Sequence, residues 1–195
     1  MLRAEALAVS RAGIPLLDGL TFAVAPGEAL ILRGPNGIGK TSLLRTVAGL
    51  QPPLSGAYEA EPAAYAAHLD GLKPTLTVSE TLRFWAAAFG TAEIARAMEA
   101  FSLKALRDRP ARDLSAGQKR RLGLARLLVT GRRLWLMDEP AVSLDVDTVA
   151  ILEGILRGHL GEGGSILLST HQPLLPEAPV LDLMPHKAAI PDLAW

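Results

Sequence analysis

A glycine-rich loop between an apolar strand and a helix is the feature that most constrains the fold of this chain. Residues Gly34 to Thr41 read Gly-Pro-Asn-Gly-Ile-Gly-Lys-Thr, which fits the phosphate-binding pattern of a glycine, four free positions and Gly-Lys-Ser/Thr. The apolar run Ala29–Leu32 precedes the loop and predicts a strand, and Ser42–Ala48 predicts a helix that ends at Gly49. Strand, loop and helix in this order are the context in which the pattern binds nucleotide phosphates.

The residues of this loop have separate predicted tasks. Glycines let consecutive backbone N–H groups point at a phosphate, where the helix N-terminus adds a partial positive charge. Lys40 would reach the β- and γ-phosphates, and the Thr41 hydroxyl would hold Mg²⁺. The candidate nucleotide-binding residues of the stretch are Gly34, Pro35, Asn36, Gly37, Ile38, Gly39, Lys40, Thr41 and Ser42. The pattern does not say what the nucleotide is used for.

Composition narrows the class of protein. Lys plus Arg and Asp plus Glu number 20 each, so no excess of positive charge indicates nucleic acid as a partner. Cysteine is absent, which excludes disulfides and thiolate metal sites. The first residues carry charges and lack an apolar signal core, and no apolar run reaches the ~18–20 residues of a membrane span. We therefore predict a single cytosolic domain over residues 1–195.

Outside the loop, the chain predicts an α/β fold with an antiparallel layer ahead of the nucleotide core. Two strand patterns, Leu2–Val9 and Leu16–Val24, are joined by a turn and precede the strand of the loop. Later in the chain strand and helix patterns alternate, which is typical of a parallel sheet. The predicted elements after the loop helix are a loop over 51–56, a strand over 63–69, a strand over 134–137, a helix over 146–159 and strands over 165–169 and 180–184.

A helical insert is predicted at about residues 78–132, between the early and late strands of the core. Thr77 or Ser79 would cap a helix over Glu80–Phe89, and Thr91 would open a second helix. Apolar residues recur at helical spacing in both segments, so each helix should bury one face.

Two carboxylates end the apolar strand at 134–137. A strand buried on both faces would deliver Asp138 to the phosphate loop, where it can orient the water ligands of Mg²⁺. Glu139, one residue on, would lie beside the γ-phosphate and polarise the attacking water. Carboxylates before a proline also occur as ordinary caps, but the phosphate loop upstream favours catalysis.

The stretch Leu114-Ser115-Ala116-Gly117-Gln118 separates the possible families. Read locally it is a capped helix start, because Ser115 is a good N-cap. Read with the other motifs it resembles the signature sequence of ATP-binding-cassette (ABC) ATPases. The stretch Ser143-Leu144-Asp145 looks like the D-loop of that family, and His171 looks like its switch histidine.

The resemblance implies a P-loop NTPase with an ABC-type ATPase core, the antiparallel β-layer and a small helical insert. It implies that ATP and Mg²⁺ are bound and that two copies close as a homodimer on two ATP molecules. Ser115, Gly117 and Gln118 would then contact the γ-phosphate of ATP held by the opposite subunit, and Asp145 would lie at the same interface. Lys40, Glu139 and His171 would be the catalytic residues, and Thr41 and Asp138 the metal site.

Two positions depart from the general ABC pattern. His68 stands where the family usually has a glutamine after a strand, and Arg11 stands where an aromatic ring usually stacks on adenine. An arginine plane can also stack on a base. His68, the basic pair Arg120-Arg121 and the sequence Thr170-His171-Gln172-Pro173-Leu174 are similar to the CcmA subfamily, the ATPase subunits of cytochrome c maturation.

That subfamily resemblance implies a peripheral protein on the cytoplasmic face of the bacterial inner membrane. Its partners would be CcmB- and CcmC-like integral membrane permease subunits, and its activity would serve heme export or release of a heme-loaded chaperone. The bases between Lys104 and Arg133 would flank the docking surface or only solvate a helical face. Three alternatives remain at this point: the ATPase of another exporter, a soluble cassette acting on DNA, and a non-hydrolysing regulator.

Overall fold

The computed structural model describes residues 1–189, in which a parallel and an antiparallel sheet enclose the helix of the glycine-rich loop. The strands are β1 Leu2–Arg11, β2 Ile14–Val24, β3 Ala29–Arg33, β4 Ser55–Ala60, β5 Ala63–Ala66, β6 Leu134–Asp138, β7 Ser165–Ser169 and β8 Val180–Asp182. The α-helices are α1 Lys40–Val47, α2 Val78–Ala88, α3 Ala95–Ala100, α4 Ala116–Val129 and α5 Val146–Gly161. Among these residues no helix combines the length and the apolar character that a membrane span requires.

The antiparallel layer predicted ahead of the core is confirmed, with strand order β2-β1-β4. Strand β4 was not predicted: its first residues, Ser55 and Gly56, fall in the expected loop over 51–56. Strand β1 bulges opposite the start of β4, where Ala6 has φ 45°. Only glycine fits opposite it, because a Cβ on Gly56 would lie 2.2 Å from the Ala6 carbonyl oxygen.

The parallel sheet has the order β5-β6-β7-β3-β8, and its central strands β6 and β7 are buried on both faces. Alternate residues of its strands belong to two different cores, as the period of two along a strand requires. Leu134, Leu136 and Leu167 pack with α1 and the antiparallel layer, while Trp135 and Met137 pack with α2, α4 and α5. The helix of the glycine-rich loop is therefore held between the two sheets.

The predicted helical insert contains α2, α3 and α4. The sequence predicts the cap of the first helix correctly but not the start of the second. Thr77 caps α2 in a reciprocal capping box with Glu80, as the sequence indicated. The second helix begins later than predicted, at Ala95, and Thr91 does not cap it. The Thr91 hydroxyl donates instead to the carbonyls of Ala86 and Val129, which ties the end of α2 to the end of α4.

Parallel pairing brings the carboxyl ends of β3, β5, β6 and β7 to one edge of the sheet. The glycine-rich loop follows β3, and the register that pairs Asp138 with Ser169 aligns the ends of β6 and β7. The predicted last strand is shorter than 180–184, since β8 ends at Asp182 and a 3₁₀ turn begins at Met184.

Candidate active site

The glycine-rich loop has the shape of an anion cradle. Gly34, Gly37 and Gly39 all have positive φ, and Gly39 leads into α1 without any side chain capping the helix. The first-turn N–H groups of α1 are therefore free of side-chain acceptors and carry the positive end of the helix dipole. Buried Lys40 extends its ammonium back over the loop and donates to the Gly34 carbonyl at 2.7 Å.

A hydroxyl and a carboxylate meet at the start of this helix. The Thr41 hydroxyl donates to Oδ2 of Asp138 at 2.7 Å, and the Ser169 hydroxyl donates to Oδ1 at 2.7 Å. Asp138 is only 3% exposed. The bonds from Thr41, in the first turn of α1, and from Ser169, at the end of β7, fix the orientation of its carboxylate. An oriented carboxylate beside a threonine hydroxyl is a pair of hard oxygen donors of the kind that Mg²⁺ prefers.

Glu139 and His171 face each other across the ends of β6 and β7. The backbone N–H of His171 donates to Oε2 of Glu139 at 3.2 Å, and Nε2 of His171 lies 3.4 Å from Oε1 and 3.4 Å from the Lys40 Nζ. In the described part of the chain, Oε1 is buried yet accepts no hydrogen bond. Glu139 also has φ 48°, a left-handed conformation that costs energy in a residue with a side chain. An unpaired carboxylate oxygen on a strained backbone is typical of a reacting site.

These side chains line one cavity of about 720 Å³. Its walls include Asn36, Lys40, Thr41, His68, Asp138, Glu139 and His171, so the structure brings the phosphate loop, both carboxylates and both candidate histidines together. Tyr65 also lines the cavity, where burial raises the pKa of its hydroxyl to about 12 and the nearby charge of Asp138 adds to the effect. Tyr65 therefore stays neutral at physiological pH.

Arg11 lies outside this cavity, at the end of β1. It lines a neighbouring cavity of about 390 Å³ together with Thr41, Ser42, Arg45 and Gln51. Gln51 fixes that wall by donating to the Thr46 hydroxyl at 3.0 Å and to the Ser10 carbonyl at 3.2 Å. A nucleotide whose phosphates lie on the loop could thus place its base beside Arg11, next to the start of α1.

The signature residues lie elsewhere. Ser115 and Gln118 form a reciprocal capping box at the start of α4, and neither they nor Gly117 line the cavity of the phosphate loop. A Cβ on Gly117 would lie 3.3 Å from the Ser143 carbonyl oxygen, so this helix start touches the predicted D-loop. Asp145 caps α5, and its hydrogen bonds to Thr148 lower the pKa of the carboxyl. The chain thus holds two separate groups of candidate residues.

Sequence reasoning missed the role of Arg120, which it noted only as one of a basic pair. The residue is 4% exposed and its guanidinium donates to six oxygens from two neighbouring strand ends. Only one of these oxygens, Oδ1 of Asp70, belongs to a side chain. Backbone acceptors leave no signal in a sequence, so no pattern could have identified them.

Comparison with known proteins gives a consistent result. Residues 17–142 match the protein family described as ABC transporter. The cytochrome c biogenesis ATP-binding export protein CcmA of Ruegeria pomeroyi is 61% identical over 184 residues, which cover 93% of this chain and 90% of that protein. The protein with the same description from Paracoccus denitrificans is 58% identical over 192 residues, or 97% of this chain and 91% of that protein.

Solved structures agree with this fold. An ABC transporter ATP-binding protein from Pyrococcus furiosus superposes with a TM-score of 0.85 at 25% identity, covering 96% of this chain and 99% of that one. An ATP-binding subunit of an ABC transporter superposes with a TM-score of 0.86 at 25% identity, covering 94% and 85% of the two chains. This chain therefore shares the overall fold of these two proteins.

Proposed function

Because this chain belongs to the CcmA group of the ABC transporter family, we propose that it is the ATP-hydrolysing subunit of an export complex that serves cytochrome c biogenesis. The observation that carries the proposal is the 2.7 Å hydrogen bond between Thr41 and buried Asp138, with Glu139 one residue further on. A phosphate loop, a hydroxyl–carboxylate pair and a second carboxylate in one cavity are the parts that phosphoryl transfer to water requires.

The residues around Thr41 fit a bound ATP–Mg²⁺. Within residues 1–189 no group of three or more His, Cys, Asp or Glu side chains could hold a metal ion by itself. A divalent cation here would depend on Thr41, Asp138 and phosphate oxygens together, which is how Mg²⁺ is usually held in such sites. When bound, Mg²⁺ would neutralise the charge that develops on the phosphates. Asp138 would orient the water ligands of Mg²⁺, because hydroxyls of Thr41 and Ser169 already fix both of its carboxylate oxygens.

The catalytic tasks divide among three side chains. Lys40 now donates to a carbonyl of its own loop and would donate to phosphate oxygens of the nucleotide instead. Glu139 would accept a hydrogen bond from the attacking water through Oε1, the oxygen that lacks a partner. His171 would contact the γ-phosphate and hold the Glu139 carboxylate through its backbone N–H.

Two copies of the chain would complete each site. The N-terminus of α4 is exposed, with Ser115 and Gly117 away from the cavity of their own chain. A helix N-terminus binds anions, so α4 of one copy would cover the γ-phosphate held by the other. Asp145 and the exposed Val146 next to it, 84% accessible, would lie in the same contact. The separation of the two groups of candidate residues supports this arrangement.

The partner in the membrane would be an integral permease assembly similar to CcmB and CcmC, at the cytoplasmic face of the bacterial inner membrane, and heme or a heme-loaded chaperone would be its cargo. Leu69, next to His68, and Phe84, on α2, are exposed, with 79% and 59% of each residue accessible, and would offer apolar side chains to such a partner. Copurification of the tagged chain from membranes tests this directly. Recovery of a permease from an unrelated system would favour the ATPase of another exporter.

The substitution Glu139→Gln tests the hydrolytic mechanism. Glutamine keeps the shape but cannot take a proton, so turnover should fall about 10²–10⁴-fold. ATP should still bind, and the variant should accumulate as an ATP-bound dimer in size-exclusion chromatography. The matched control is Glu153→Gln on α5, where a surface carboxylate pairs with Arg157. Phosphate release from Glu139→Gln at the wild-type rate would exclude this role.

A further inference from the structure

Arg120 on α4 donates hydrogen bonds to the backbone carbonyls on both sides of Glu139 and to that of Glu139 itself. The Nε of Arg120 donates to the Pro140 carbonyl at 3.1 Å, and its Nη2 donates to the carbonyls of Asp138 and Glu139 at 3.2 and 2.7 Å. Three consecutive carbonyls are thus held by one guanidinium. The planar, rigid fork of arginine makes such a contact possible, and a lysine ammonium cannot reproduce it.

The remaining nitrogen of the same guanidinium holds the loop after β5. Nη1 of Arg120 donates to the carbonyls of Ala67 and His68 at 2.9 and 3.3 Å and to Oδ1 of Asp70 at 2.8 Å. Within residues 1–189, Asp70 is the one charged partner of the buried guanidinium, with 20% of its side chain exposed. Arg120 therefore joins two neighbouring strand ends, one carrying His68 and the other Glu139.

These bonds help to hold the backbone conformation of Glu139. The N–H of Val142 also donates to the Glu139 carbonyl, at 3.3 Å, and the Glu139 N–H donates to the Ser169 carbonyl at 3.0 Å. A residue with a side chain holds a left-handed φ only where its surroundings impose it, and Glu139 has φ 48°. The carbonyl of Glu139 makes the shortest of the six bonds to Arg120. If that carbonyl turned away, it would leave both itself and a buried N–H donor without partners, which is costly.

We propose that Arg120 is a positioning residue that imposes the backbone conformation of Glu139 and links it to the loop carrying His68. The inference rests on the proposed function, because it assigns Glu139 the catalytic carboxylate. It adds that a displacement of the His68 loop, such as a docked membrane partner would cause, is passed to Glu139 through one guanidinium. The His68 loop and the backbone around Glu139 need no direct contact for this displacement to be transmitted.

The substitution Arg120→Lys tests this positioning role, with Arg121→Lys as its matched control. Arg121 is the adjacent residue, partly buried, and donates to a single backbone carbonyl, that of Phe101. A shift of a catalytic group by about 1 Å can cost about 100-fold in rate, so we expect kcat of Arg120→Lys to fall about 10–100-fold. The KM for ATP and the binding of a fluorescent ATP analogue should change less than about twofold, and Arg121→Lys should match the wild type. A raised KM with unchanged kcat would refute the proposal.

The substitution Asp70→Asn tests the proposal independently, in case Arg120→Lys does not fold. Asp70→Asn keeps the size of the side chain and leaves every backbone acceptor of Arg120 in place, while it removes the charge that orients the guanidinium. Its kcat should fall less than that of Arg120→Lys, again without a change in KM. If a soluble Asp70→Asn protein has the wild-type kcat and Arg120→Lys does not fold, Arg120 is structural only and the proposal is wrong.

A double-mutant cycle shows whether Arg120 acts through Glu139. In single-turnover assays, Arg120→Lys should cost no further rate in the Glu139→Gln background, because the residual reaction no longer uses that carboxylate. Equal losses in both backgrounds would mean that Arg120 acts by another route. Wild-type turnover by Glu139→Gln would defeat the proposed catalytic role together with this inference. An inactive Glu139→Gln beside a fully active Arg120→Lys would defeat this inference alone.

Discussion

Gly123 on α4 offers a test in which two opposite effects compete. It stands one turn after Arg120 and faces Asp70 so closely that an added Cβ would lie 2.5 Å from Oδ1, 2.8 Å from Cγ and 2.9 Å from Cβ of Asp70. Gly154 on α5 is also within a helix, but nothing lies within 4 Å of its added Cβ. Alanine at the two positions therefore separates helix propensity from contact with Asp70.

The expected sign follows from the size of the two effects. Replacing a helical glycine by alanine stabilises by about 0.8–1.0 kcal/mol when nothing else changes. At Gly123 the clash includes the Cβ of Asp70, which no rotation of the Asp70 side chain can move. The backbone must shift, at about 1–3 kcal/mol for overpacking, and breaking a buried ion pair adds up to about 3–5 kcal/mol. After the gain of about 1 kcal/mol from helix propensity is subtracted, we expect Gly123→Ala to lower the free energy of unfolding by up to about 2 kcal/mol if the ion pair survives, and by more if it breaks.

Urea denaturation followed by circular dichroism measures both variants. Gly154→Ala should raise the free energy of unfolding by up to about 1 kcal/mol, and each kcal/mol corresponds to about 2–4 °C in Tm for a chain of this size. Gly123→Ala should also lower kcat, because it displaces Asp70 from Arg120. If both alanines stabilise the protein equally, Asp70 does not pack on α4 as the structure has it and the reasoning fails.

Two further predictions concern pH and docking. The His159 ring stacks on Trp135 with the ring centroids 3.6 Å apart, and burial lowers the pKa of His159 in the folded chain. As pH falls, the unfolded chain is therefore protonated at His159 before the folded chain is. The free energy of unfolding should fall as pH drops below about 6.5, by at most about 1.4 kcal/mol per pH unit. Urea midpoints between pH 7.5 and 5.5 should show this slope, and His159→Gln should reduce it; an unchanged slope would assign it to other groups. Phe84→Ser should release the chain from membranes while basal ATPase activity stays unchanged. Leu54→Ser, at another exposed apolar position with 48% accessibility against 59% for Phe84, should remain bound. Equal membrane recovery of the two variants in flotation assays would place docking elsewhere.

Much of the candidate site could be predicted from sequence because its parts follow apolar strands. Parallel neighbouring strands end at the same edge of a sheet, so Asp138 at the end of β6 and Lys40 after β3 were expected to lie close together. The same reasoning placed His171 after β7. The strand pattern predicts where these side chains lie, whereas the roles of Lys40 and His171 were inferred from the glycine-rich motif and from the family resemblance. Which of these residues reacts is still a prediction, and Glu139→Gln tests it.

The parts that could not be predicted depend on contacts that have no pattern. Strand β4 pairs on one side with β1, and its residues alternate too weakly to predict a strand. Thr91 has the right chemistry for a helix cap, but tertiary hydrogen bonds to the ends of α2 and α4 use its hydroxyl instead. The acceptors of Arg120 are almost all backbone carbonyls, which any sequence would supply once the strand ends met.

Arg120 and Ser115 lie on the same helix, five residues or about 7.5 Å apart along its axis. In the proposed dimer, the end of α4 that carries Ser115 covers the ATP of the other copy, while Arg120 holds Glu139 of its own. A helix moves as a rigid body over this distance. When α4 closes on the ATP of the other copy, Arg120 should therefore move too, and with it the Glu139 backbone in its own copy. The two sites would then be coupled through α4 itself, without a separate signalling element, and Arg120→Lys should weaken this coupling as well as kcat. The cooperative dependence of the ATP hydrolysis rate on ATP concentration should therefore be weaker in that variant than in the wild type, and unchanged in Arg121→Lys. An Arg120→Lys dimer with reduced kcat but an unchanged Hill coefficient would show that α4 positions Glu139 without linking the sites.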